Sequence, residues 1–110
     1  MTRLPLSTAA AGLLRALVAR ADADRNRILL TDIQSTDWQS LTFTGQRHSI
    51  RVRILEPEAE AIVARLTAGI KDADLVVPGH IVADILLAGP PRRDNDGSIS
   101  VEFEALTITE

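Results

Sequence analysis

No cysteine and no tyrosine occur in this chain. The first absence excludes disulfides, thiolate metal sites and a cysteine nucleophile. There is one tryptophan, Trp38, and there are two phenylalanines, Phe43 and Phe103. The core must therefore be aliphatic, and stacking platforms for single-stranded nucleic acid are missing. Lysine is nearly absent too: Lys71 stands against eleven arginines. Together with abundant alanine, that balance points to a GC-rich bacterial genome. No apolar run reaches the length of a transmembrane helix. No phosphate-cradling glycine loop, nucleophile elbow or paired metal-ligand motif is present.

What remains is a chain of 110 residues, the size of a single domain. That length buries a core without staples. The net charge is −3, and it is unevenly spread. Residues 1–21 hold Arg3, Arg15 and Arg20 and no acid; residues 22–110 hold nine basic and fifteen acidic side chains. An acidic, aromatic-poor body is not expected to bind nucleic acid. Neither a membrane nor a cofactor is called for, and the expected location is cytoplasmic.

The segment LPLSTAAAGLLRALVARADA imitates a secretory leader, but Arg15 interrupts its apolar stretch. Its spacing instead predicts a helix over residues 7–23, with Ser7 or Thr8 as N-cap. Ala10, Leu13, Leu14, Leu17, Val18 and Ala21 form the core-facing stripe. A second stripe is built of small residues: Ala9, Gly12, Ala16, Ala19 and Ala23. Gly12 in a helix costs about 1 kcal/mol relative to alanine, so a packing reason is expected. A helix–helix contact in a homodimer is one such reason; an alanine-rich solvent face is the plain alternative.

NRILLTDI (26–33) reads as a strand and STDW (35–38) as a connection. QSLTFTG (39–45) and HSIRVRIL (48–55) read as a hairpin turning at Gly45–His48. A second helix follows Pro57, with Ala59, Ile62, Val63 and Leu66 buried. Gly69 ends it, with Ile70 folding back on Leu66. HIVADILLA (80–88) and SISVEFEALTI (98–108) then pair across the loop GPPRRDNDG. Ile99, Val101 and Phe103 alternate with polar residues, and a slip in apolar phase predicts a bulge near Ala105–Leu106. The expected fold is α+β in two layers: a five-stranded, mainly antiparallel sheet with two helices on one face, order α-β-β-β-α-β-β.

The opening order of helix, three strands and helix resembles that of double-stranded RNA-binding domains. The second helix here starts with Glu56, Pro57, Glu58 and Glu60, where that family needs phosphate-clamping lysines, so its activity is not implied. The full order is similar to that of secretion-chaperone-like proteins, which are small acidic dimers. That likeness rests on element order and no residue motif.

The final pair of strands carries the densest chemistry. If odd residues point inward on both, facing numbers sum to 186 or 188. Asp84 then faces Glu102 or Glu104 on the outer face. Arg51 and Arg53, outward neighbours of Ile50, Val52 and Ile54, would join that face and ion-pair with the carboxylates. A divalent cation held by Asp84, Glu102 and Glu104 is a sharper alternative. His80 with Glu104, Asp84 or Glu102 is a candidate general-base constellation. His80 and Asp84 alone stand about 13 Å apart along a strand and cannot hydrogen-bond within it. His48 reads as a loop histidine and Trp38 as a cap on the core edge. The loop arginines Arg92 and Arg93 are neutralised by Asp94 and Asp96, and the loop reads as mobile.

These readings favour a non-enzymatic, self-associating interaction module, a homodimer using Ala9, Gly12, Ala16 and Ala19 or Arg51 and Arg53. The alternatives are a small ligand-binding or enzyme domain around His80, and cation binding at the facing carboxylates.

Overall fold

A computed structural model describes residues 6–110; Arg3 lies outside them. The chain forms helix α1 (Thr8–Ala21), strands β1 (Ile28–Gln39) and β2 (Thr44–Ile54), helix α2 (Ala59–Thr67), and strands β3 (His80–Leu87), β4 (Arg92–Arg93) and β5 (Ile99–Thr109). The sheet order is β1-β2-β5-β3, with every pair antiparallel. The short β4 pairs Ser100 and Ile99 of β5. This is the α+β architecture expected: a five-stranded antiparallel sheet and two helices.

Ser7 caps α1, its hydroxyl accepting from the Ala10 amide at 3.1 Å and so meeting one orphan donor of the first turn. The same hydroxyl donates to Gln46 Oε1 at 2.7 Å, which ties the helix start to the sheet. Leu13, Leu17 and Ala21 of α1 join Ile62, Val63 and Leu66 of α2 in the core. Ile50, Val52, Ile54, Val101 and Phe103 complete it from the sheet. The helices also close each other's C-termini. Arg20 Nε donates to the Leu66 carbonyl at 3.1 Å and its Nη2 to that of Ala68. Arg65 Nε donates in return to the Ala21 carbonyl at 2.9 Å.

Several local expectations are corrected. Strand β1 runs unbroken through Ser35–Trp38, and its hairpin turns at Ser40–Phe43 rather than at Gly45–His48. The Ser40 amide donates to the Phe43 carbonyl at 2.8 Å, and the Phe43 amide donates to Ser40 Oγ at 3.1 Å. Gly45 lies inside β2, where a Cβ would overlap the Thr107 carbonyl oxygen and come within 3.0 Å of Trp38 Nε1. Close approach of backbone and indole, not a turn, requires glycine there.

Strand β5 keeps its phase throughout: Ile99, Val101, Phe103, Ala105 and Thr107 are all buried. The bulge lies instead in β3, between Val82 and Asp84. The apparent slip in the sequence arises because a polar residue, Thr107, takes an inward place while Leu106 and Ile108 point outward.

The small-residue stripe of α1 is divided. Ala9 and Gly12 are buried within the fold, and a Cβ on Gly12 would lie 2.6 Å from Val77 Cγ1. Gly12 thus seats the chain's own Val77 rather than a second helix. Ala16 is half-buried and Ala19 exposed.

Candidate interaction surface

The helices cover one face of the sheet and leave the other open. Strand pairing sets out that open face as rows running across it. One row holds Trp38, Gly45, Ile108 and Ile81; the next holds Thr36, Arg47, Leu106 and Asp84. Further along lie Gln34, Ser49, Glu104 and Leu86, and then Asp32, Arg51 and Glu102. The Trp38 row at one end is therefore apolar, and each of the other three rows carries charge. Side chains facing each other in neighbouring strands are the contact units of a sheet, so these rows are what a partner would meet.

Asp84 faces Leu106, not a glutamate. The β3 bulge moves the register to a sum of 190, beyond both sums considered. The facing-carboxylate pair, and with it the cation site built on that pair, is therefore corrected. Asp84 and Glu104 do line one shallow depression of about 310 Å³, and Arg47 lines it with them. Among the described residues no group of three potential metal ligands converges.

Arg51 lies directly opposite Glu102, donating from Nε at 3.0 Å and from Nη2 at 2.6 Å to the same Oε1. Glu102 holds the guanidinium above its ordinary pKa. Arg53 turns to the β4–β5 loop, donating to Ser98 Oγ at 2.8 Å and to Asp96 Oδ2 at 3.0 Å. Hydrogen bonds from the Ser98 hydroxyl and amide, with help from Arg53, hold the Asp96 carboxyl below its usual range. The loop expected to be mobile is thus pinned. The Asp94 amide donates to the Ser98 carbonyl at 2.8 Å, and Arg93 pairs with Glu60 and Glu56.

The histidines fall differently from expectation. His80 Nδ1 lies 3.0 Å from the Pro78 carbonyl, and His80 pairs with Thr109. Strand alternation places His80 on the helix side and Glu104 and Glu102 on the open side, so the proposed constellation does not assemble. His48 is not in a loop. It is a β2 residue, 3% exposed. Its Nδ1 lies 2.8 Å from Ser35 Oγ and its Nε2 2.8 Å from Thr107 Oγ1. The Thr107 hydroxyl reaches the Gln46 carbonyl at 3.5 Å. A proton donated there leaves that hydroxyl to accept from Nε2–H, and Nδ1 then accepts from Ser35. Burial, and secondarily the charge of His80, lowers the His48 pKa. This seam closes the polar end of the core. The even-numbered series His48, Ile50, Val52 and Ile54 was the signal that His48 points inward.

Among the described residues the hairpin tip holds the most exposed large apolar side chain. Leu41 is 105% exposed and Phe43 52%. Trp38 sits at the base of this hairpin with its Nε1 buried and unpaired.

No protein-family model matches the chain, and no curated protein does. Among solved structures it is similar to a protein in the virion of a native gene transfer agent particle. The superposition has a TM-score of 0.60 and spans 91% of this chain and 97% of that one, at 17% identity. The two share a fold. The likeness extends over nearly the whole of both chains.

Proposed function

We propose that this chain is a structural, non-enzymatic subunit of a virion-like particle, acting through contacts with other protein subunits. One observation carries the reading: the end-to-end fold match to a protein of a gene transfer agent virion. The surface chemistry supports it. An open sheet face with one apolar row beside mixed polar and charged rows, and an exposed apolar hairpin tip, suit protein contacts. The enzymatic alternative has less support, since His80 and the carboxylates it needs stand on opposite faces of the sheet.

Deleting the coding sequence in the organism that carries it tests the proposal. Electron microscopy of the lysate should show particles missing or arrested at an incomplete stage, restored when the chain is supplied from a plasmid. Intact particles in normal number without the chain would count against a structural role.

A further inference from the structure

We propose that the apolar tip of the β1–β2 hairpin, Leu41 and Phe43, docks into the groove between α1 and β1 of a second copy of this chain. The contact rests on the assembly reading above and adds to it a surface and an occupant. The groove is lined by Leu14, Val18, Ala19, Ile28 and Leu30 together with Arg15 and Arg25. Its volume is about 460 Å³. A cavity of roughly 150 Å³ takes a benzene ring, so the groove has room for the Phe43 ring and the Leu41 side chain together.

The tip and the groove cannot meet within one molecule. Ile28 and Leu30 begin β1, and the tip follows its last residue, Gln39. Eleven strand steps separate the two ends, about 35 Å, in a molecule 46 Å along its longest axis. Only another copy can bring a tip to this groove.

The tip is built for burial. Residues 38–46, WQSLTFTGQ, contain no ionisable side chain, so the tip itself brings no charge to be desolvated. The Ser40 and Phe43 amides are already paired inside the turn, at 2.8 and 3.1 Å. These two bonds fix the shape of the turn, which limits the ordering cost of binding. Charge is complementary as well. Among the described residues neither Arg15 nor Arg25 is ion-paired. On the incoming hairpin Asp37 is the charged side chain nearest the apolar tip, hydrogen-bonded among the described residues to Gln46 Nε2; Arg47 stands one step further back, on the other face of the hairpin.

Complementary variants test this contact. Leu41→Asp with Phe43→Asp removes the tip and leaves the groove. Leu30→Arg blocks the groove and leaves the tip; Val18→Arg is a second groove variant should the first not fold. Unchanged far-ultraviolet circular dichroism establishes folding. Light scattering and sedimentation should give the wild type a mass of two copies or more at concentrations up to about 1 mM, the weak end of useful affinities. Each variant alone should weaken self-association by about tenfold or more. An equimolar mixture of tip and groove variants should recover a two-copy species, because one intact tip meets one intact groove. A monomeric wild type, variants with the wild-type mass, or a mixture that stays monomeric would each overturn the contact. If the contact fails while deletion still abolishes particles, the particle reading stands without it, and the groove takes a different subunit.

Discussion

Arg20 and Arg65 cap each other's helices: each guanidinium donates to the terminal carbonyls of the helix that carries the other. The last carbonyls of a helix have no partner within it, and a cation there also complements the dipole. Sequence periodicity places both arginines at helix ends but does not show that they exchange roles.

Arg20→Ala and Arg65→Ala should each destabilise the fold by about 1–2 kcal/mol, since each removes charge-assisted donors from partly buried carbonyls. In urea this should appear as a lower midpoint with an unchanged slope. Loss of less than about 0.3 kcal/mol from both would mean water replaces them fully.

Gly12→Ala should destabilise although alanine favours a helix by about 1 kcal/mol over glycine. The added Cβ would sit 2.6 Å from Val77 Cγ1. In a Val77→Ala background, Gly12→Ala should be neutral or stabilising. A double-mutant cycle reads that change of sign as coupling; additive effects would show that Val77 is not the obstacle.

His48 makes stability depend on pH. Its folded pKa is lowered below 6.5, so the unfolded chain binds the proton first. Stability from this group is fully present above 6.5 and is lost as pH falls from there toward the folded pKa. Within that window the slope is at most about 1.4 kcal/mol per pH unit. Thermal unfolding between pH 7.5 and 5 should show the loss, and His48→Gln should flatten it. His80→Asn serves as the control for the other histidine. An equally steep profile in His48→Gln would place the effect elsewhere.

The Arg51–Glu102 pair lies in the open, and exposed pairs contribute about 0–1 kcal/mol. Glu102→Gln should cost no more than that at low salt and nothing measurable in 1 M salt, where the screening length is about 3 Å. A salt-insensitive loss above about 2 kcal/mol would show that the pair is shielded in an assembly.

The sequence makes the architecture readable because its helices carry full apolar stripes and β2 from His48 and β5 up to Phe103 alternate cleanly. Ser7 as cap, Ile50, Val52 and Ile54 as core, and Arg51 beside a carboxylate all follow from period and parity. The register at Asp84 does not. The β3 bulge lies in a stretch, Ile81–Leu87, apolar on both faces, so alternation leaves its position open. Gly45 misleads because turns and close backbone approaches ask for the same residue. His48 misleads because the neighbouring glycine marked a loop that is not there. The groove lined by Leu30 and Val18 needs α1 and β1 side by side, which is a tertiary fact.

The proposal that this chain is a particle subunit is tested most directly by its location in purified particles. Particles from the organism that carries the gene would be banded on a density gradient and their proteins quantified by mass spectrometry. The chain is expected to co-migrate with the particle band at a fixed ratio to the other virion proteins, through repeated gradients. Its recovery only at the top of the gradient, with assembled particles lacking it, would contradict the proposal.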